Sequence, residues 1–147
     1  MLPTDKEILF TRQIHEAKRA GKHFDIRFVV SDKAYSFATK KELPTEGKAI
    51  MLYEQPVHTA SYALSNKVEI PDGQYGAGTT TLDFVRKAHV TKSGGDDQMV
   101  IHVGDGQRYL LKKMDEEKYG EKTWLFKDLG KEKMEKNKYL EKINNGS

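Results

Sequence analysis

The sequence predicts a mainly β chain: a compact β-barrel with a short helical or irregular N-terminal segment and a Lys-rich C-terminal helix or tail. Three observations predict it. Short runs rich in β-branched and aromatic residues recur along most of the chain. Turn-forming clusters of Gly, Asp, Asn, Ser and Pro separate them. Helical periodicity is confined to the two ends, which favours a barrel or sandwich over a mixed fold.

The elements follow in order. Residues 5–21 read as a helix or irregular segment, with Thr4 as its cap and Glu7 three residues later. HFDIRFVV (23–30) and KAYSFAT (33–39) read as strands joined by a tight turn. KKELPTEGK is a loop, and AIMLYE (49–54) is a strand that Pro56 should end. SYALSNKVEI (61–70) holds a short turn or helix, and PDGQYGAG (71–78) is turn-rich. TTTLDFVRKAHVT (79–91) reads as one or two strands and DQMVIHVG (97–104) as another. DGQ signals a hairpin into RYLLKKM (108–114), and EKTWLFKDL (121–129) is the last strand. Residues 1–129 are thus expected to form one domain, with 130–147 as a charged helix or tail.

Composition narrows the function. The 147 residues include 37% hydrophobic and 32% charged side chains, a globular balance with a highly charged surface. There is no cysteine, so a metal would be held by His, carboxylate or amide oxygen. No apolar run is long enough to cross a bilayer, and the start, MLPTDKEILF, does not resemble a secretory signal. A cytoplasmic monomer without membrane association is the expectation. The formal charge of +3 is modest, but KRAGKHFDIR (18–27) and KDLGKEKMEKNKYLEK (127–142) concentrate Lys and Arg. Such clusters can track a phosphate backbone, although the second reads better as solvated surface.

HFDIRF (23–28) carries the chemistry. On a strand, His23, Asp25 and Arg27 share one face, spaced roughly 6.5–7 Å per step, while Phe24, Ile26 and Phe28 face a core. His nitrogen and Asp oxygen together suit zinc, manganese or iron. His15, just upstream, is the nearest third ligand. Arg27 stands where an anionic phosphate beside that metal needs neutralising. Gly73, Gly76 and Gly78 read as a structural turn, Tyr75 and Trp124 as packing residues, and His89 and His102 as satisfied or exposed histidines.

HFDIR, SFATKKE, YEQPVHTA, EIPDGQYGAGTTT and KTWLFKD resemble, in order, blocks of the 3′-phosphoesterase domain family of bacterial DNA ligase D, from about Gln13 to Asp128. The resemblance implies a compact β-barrel with manganese-dependent activity. The substrates would be DNA or RNA–DNA primer–template 3′ ends. The chain would remove a terminal ribonucleoside and then the 3′-phosphate left behind. It also implies His15, His23 and Asp25 as metal ligands, Arg27 as the phosphate contact, Lys41 as a second stabilising cation and Gln13 as a substrate contact. Standing alone, such a domain would act in trans with a separate DNA ligase.

Two departures matter. The His15–His23 gap is two residues longer than the family's. The family's Asp-His-Pro reads Glu-Gln-Pro here, placing Gln55 where a substrate-binding His is expected, and Thr59 aligns with a family Tyr. Gln55 can hydrogen-bond a phosphate oxygen but carries no positive charge. His58 lies between the two and is a candidate replacement and general acid or base. These substitutions leave open a 3′-end-binding module without turnover. A small barrel that binds an unrelated metabolite is a third reading, and it predicts no metal dependence and no salt-sensitive DNA affinity.

Overall fold

A computed structural model of the chain describes residues 2–19, 21–74, 77–95 and 97–132. The strands are β1 (Lys6–Ala17), β2 (Gly21–Val30), β3 (Lys33–Thr39), β4 (Ala49–Thr59), β5 (Lys67–Ile70), β6 (Gly78–Lys92), β7 (Gln98–Val103), β8 (Gln107–Lys113) and β9 (Thr123–Lys131). Two four-residue helices, α1 (Ala60–Ala63) and α2 (Glu116–Tyr119), complete the described elements. The chain is mainly β, as its sequence predicts.

The strands form one antiparallel sheet in the order β1-β2-β3-β4-β9-β8-β7-β6-β5, and β1 also pairs with β6. That pairing closes eight strands into a ring and leaves β5 outside it, on the first residues of β6. Alternation then sorts the side chains into an inner and an outer face. Phe10 faces Phe28 across the β1–β2 pair, and both are fully buried inside. Their rings stack at 5.5 Å, Phe28 meets Phe37 edge-on at 5.8 Å, and Phe37 meets Trp124 at 5.7 Å. Trp124 satisfies its indole N–H by donating to Glu54 Oε1 at 2.9 Å. Each such buried side chain contributes about 1.5–3 kcal/mol of transfer free energy, and this aromatic chain fixes the ring around its core.

The N-terminal segment differs from its expectation. Residues 6–17 are a strand, not a helix, because both of their edges are used. β1 pairs with β2 from Leu9↔Val29 to Ala17↔Gly21, and with β6 from Lys6↔Val90 to Ala17↔Gly78. Asp5 adopts φ +58° and donates its N–H to the Val90 carbonyl, so the chain turns into the sheet where Thr4 was expected to cap a helix. β4 also runs past Pro56. A bulge there, where Ala34 pairs with His58 and Ser36 with Gln55, removes the need for the missing N–H. β6 is a single strand, bulged against Arg12 and Gln13. β9 extends two residues beyond the expected domain boundary at 129. The expected tail beyond Glu132, and the packing role expected of Tyr75, lie outside the described residues.

Candidate metal centre and its cavity

The register that buries Phe10 and Phe28 turns the odd-numbered residues of β1 and β2 to the outer face. Thr11 pairs with Arg27, Gln13 with Asp25, and His15 with His23. An outer face is normally solvated, but this one is roofed. Val29, Ala34 and Ala63 form a second small core with Leu9 and Ala60, which seats α1 on β1–β3. Thr59 caps α1 by accepting from the Tyr62 N–H at 3.2 Å. Thr11, Gln13, His15, Asp25 and Arg27 are consequently all buried.

Three donors converge under this roof. His15 Nδ1 lies 3.4 Å from Asp25 Oδ2, and His23 Nε2 lies 3.3 Å from Asp25 Oδ1. The two imidazole rings sit 4.4 Å apart, and one ligand atom from each of the three residues falls within 4.8 Å of the others. Two donors about 2.1 Å from a common ion, at a tetrahedral angle, stand about 3.4 Å apart. The two His–Asp spacings are close to that value, each to its own carboxylate oxygen, and the two-His, one-carboxylate donor set suits a divalent transition metal. His15 pairs directly with His23, and the two strands pair without interruption out to Ala17↔Gly21, so both imidazoles fall on one face. Burial alone would raise the pKa of Asp25. Hydrogen bonds from His15 and His23 and the charge of Arg27 outweigh it and hold the carboxyl well below the ordinary Asp value.

Arg27 is 3% exposed and tightly held. Its Nε donates to Gln13 Oε1 at 2.9 Å and its Nη1 to Ser36 Oγ at 2.6 Å. Nη2 lies 3.5 Å from Asp25 Oδ2, and the guanidinium rests against the Tyr62 ring at 5.0 Å. Burial lowers its pKa and Asp25 opposes the shift, and an arginine stays charged in either case. Gln13 is fully buried and uses both ends of its amide, since Nε2 donates to the Tyr62 carbonyl at 2.9 Å. It ties β1, β2 and α1 together and does not line the cavity. The sequence-based expectation gave it a substrate contact, and the structure gives it the placement of Arg27.

A cavity of about 630 Å³ opens over the three donors. His15, His23, Asp25, Arg27, Gln55, His58 and Tyr62 line one side. His58 stacks on Tyr62 with centroids 4.6 Å apart and planes 16° from parallel. Burial, then the charge of Arg27, push the His58 pKa below the ordinary His value against the opposing pull of Asp25, so its imidazole is neutral at pH 7. The Gln55 amide donates to the carbonyls of Tyr53 and Glu54, both at 3.2 Å. Lys41 is exposed on the loop after β3, and neither it nor Thr59 lines the cavity.

The opposite side was not expected to take part. Ala17, Lys18 and Arg19 from the β1–β2 hairpin meet Ile70, Asp72, Gly73, Gln74 and Ala77 from the β5–β6 connection. Lys18 pairs with Asp72, and its N–H donates to the Ala77 carbonyl at 2.9 Å. Gly78 has φ +145°, and a Cβ there would stand 2.1 Å from the Glu16 carbonyl oxygen, so glycine lets the connection close onto β1. The described residues of PDGQYGAG, 71–74 and 77–78, thus give a cavity wall and, at Gly78, the close approach to β1, while Gly76 lies outside the described residues. Tyr62 carried no motif signal in the sequence, and Ser36 and Gln74, though inside blocks that carry the resemblance, were given no role. His89 and His102 are buried cross-strand partners on β6 and β7, and the Thr91 hydroxyl bonds His102 Nε2 at 3.0 Å.

No protein-family model matches the chain, and a search of curated proteins finds no sequence match.

Proposed function

We propose that the chain is a metal-dependent phosphoesterase, built on a compact β-barrel, that trims the 3′ ends of DNA or RNA–DNA strands. The observation that carries this is the convergence of His15, His23 and Asp25 beside the buried guanidinium of Arg27 in one cavity. His15, His23 and Asp25 would hold the ion, most simply Mn²⁺. When bound, it supplies Lewis acidity at a phosphoryl oxygen.

The chain's own groups do the remainder. Arg27 spends donors on Gln13 and Ser36, which fix its plane, and keeps others of its five N–H groups for a phosphoryl oxygen. His58, neutral at pH 7 and facing the cavity, can accept a proton from an attacking water or give one to a leaving oxygen. Gln55 lines the cavity, and its amide would donate to a phosphate oxygen only by releasing the Tyr53 or Glu54 carbonyl. Gln13, Ser36 and Thr59 act by positioning Arg27 and Tyr62. Lys41 has no part in this scheme, since it lies outside the cavity lining. The product of complete trimming is a 3′-hydroxyl, the end a separate ligase consumes.

One observation favours a second reading, a 3′-end-binding module without turnover. Gln55 stands where the resemblance expects a cationic His, and its amide is committed to two backbone carbonyls. The deciding experiment uses a primer–template ending in one ribonucleotide, with Mn²⁺ or EDTA, for the wild type and His23→Ala. Metal-dependent trimming that the variant loses is the expected result. Tight binding without turnover would establish the binding module, and neither binding nor turnover would exclude both.

A further inference from the structure

The cavity is larger than phosphate chemistry requires, and its two sides differ. At about 630 Å³ it lies within the range, roughly 300–1,000 Å³, of sites that enclose a whole small molecule. The ion ligands and Arg27 occupy one end. The other end presents an apolar patch of Ala17, Ile70 and Ala77, beside Gln74, Arg19 and the Lys18–Asp72 pair.

Strand register sets the distance between the two ends. His23, His15, Thr80 and Val68 form one row across β2, β1, β6 and β5. Gly21, Ala17, Gly78 and Ile70 form the next row on the same face. Rows two residues apart are separated by roughly 6.5–7 Å. That is comparable to the reach from a 5′-phosphate across a ribose to its base. Arg27 lies on the far side of the ligands from Ala17, so the guanidinium and the Ala17–Ile70–Ala77 patch sit at opposite limits of one cavity.

We infer that the apolar end receives the base of the 3′-terminal nucleoside, held against Ala17, Ile70 and Ala77, while its 5′-phosphate meets the ion ligands and Arg27. This rests on the phosphoesterase reading and adds to it. The cavity would select nucleoside-bearing phosphates over bare phosphate ends, and an aliphatic wall would do so with little preference among bases, because each base has an apolar face. The charged groups supply complementarity for the phosphate, and the apolar wall faces a group that shields it from water. Ile70 ends β5 and pairs with Gly78 of β6, and the Ala77 carbonyl accepts from the Lys18 N–H, so backbone pairing holds both residues while their side chains can change.

The test is calorimetric binding in Mn²⁺ of two probes, adenosine 5′-monophosphate and ribose 5-phosphate, to the wild type, Ile70→Ser and Ala77→Leu. The wild type should bind the nucleotide roughly tenfold tighter than the sugar phosphate, the size expected for covering one base face. Both variants should lose most of that advantage while their affinity for ribose 5-phosphate stays within about twofold of the wild type. Equal wild-type affinities for the two probes, or an advantage that survives both substitutions, would overturn the inference and leave the phosphoesterase reading standing. Binding of neither probe would sink that reading and the inference with it. If Ile70→Ser fails to fold, Ala77→Leu alone decides, because it fills the same space from the connection.

Discussion

Replacing Gln13 with Leu removes a fully buried amide at nearly constant volume, and the structure gives the cost. Its principal bonds disappear, the one Gln13 accepts from the Arg27 guanidinium at 2.9 Å and the one it donates to the Tyr62 carbonyl at 2.9 Å, along with a longer one to the Ser65 carbonyl at 3.5 Å. The first is charge-assisted, worth about 1.5–3 kcal/mol, and the second about 0.5–1.5 kcal/mol. The loss should total about 2–4 kcal/mol, because the guanidinium N–H and the carbonyl stay buried without these partners. For a domain of this size, that lowers Tm by about 6–15 °C. Gln13→Glu keeps an acceptor for Arg27 but turns a buried carboxylate oxygen toward the Tyr62 carbonyl, so it should not restore wild-type stability. Thermal and urea unfolding measure both. A Gln13→Leu protein within about 0.5 kcal/mol of the wild type, with affinity for ribose 5-phosphate unchanged, would refute the claim that Gln13 positions Arg27.

Three more outcomes follow from the same geometry. Mn²⁺ at a hundredfold excess over its Kd should stabilise the wild type by about 2.7 kcal/mol, and His23→Ala or Asp25→Ala should abolish the upward Tm shift, which differential scanning fluorimetry reads. Burial pushes the pKa values of both His58 and His102 below their ordinary 6.5, so the folded state binds fewer protons than the unfolded chain. Their contribution is therefore complete above pH 6.5 and is lost as pH falls below it. Urea midpoints at pH 7.5 and 5.5 should show a smaller acid loss in His102→Gln than in the wild type. Gly78→Ala places a Cβ 2.1 Å from the Glu16 carbonyl oxygen and should cost at least about 2 kcal/mol in denaturant unfolding, whereas a neutral result would mean that β6 does not approach β1 as described.

β2 and β3 were legible in the sequence because HFDIRF alternates polar and apolar residues, both runs are rich in aromatic or β-branched side chains, and turns flank them, and β2 places His23, Asp25 and Arg27 on one face as period two requires. β1 was not legible. Its Lys, Glu, Arg, Gln and Ala are good helix formers, and pairing on both edges overrides that propensity. The alternation in β1 is also blurred, since its outer residues Thr11, Gln13 and His15 are polar yet buried under α1. Pro56 read as a strand terminator because a bulge is invisible until the partner strand is known. α2 does carry a sequence signal, an Asp115 cap followed by Glu116 and Glu117 in the first turn, but at four residues it is too short to show a helical period. The ligand set of the candidate site was readable because it lies on two adjacent strands. The far wall was not, because Ala17, Ile70 and Ala77 come together only when β6 closes the ring. Lys41 and Thr59 were assigned by alignment position, which does not record that one sits on an exposed loop and the other caps a helix.

Anomalous diffraction from a crystal soaked in Mn²⁺ tests the central claim most directly. A single peak in contact with His15, His23 and Asp25, beside the Arg27 guanidinium and absent from His23→Ala crystals, is the predicted result. No peak at that position, or one that persists in the variant, would contradict the claim that these three side chains form a metal centre.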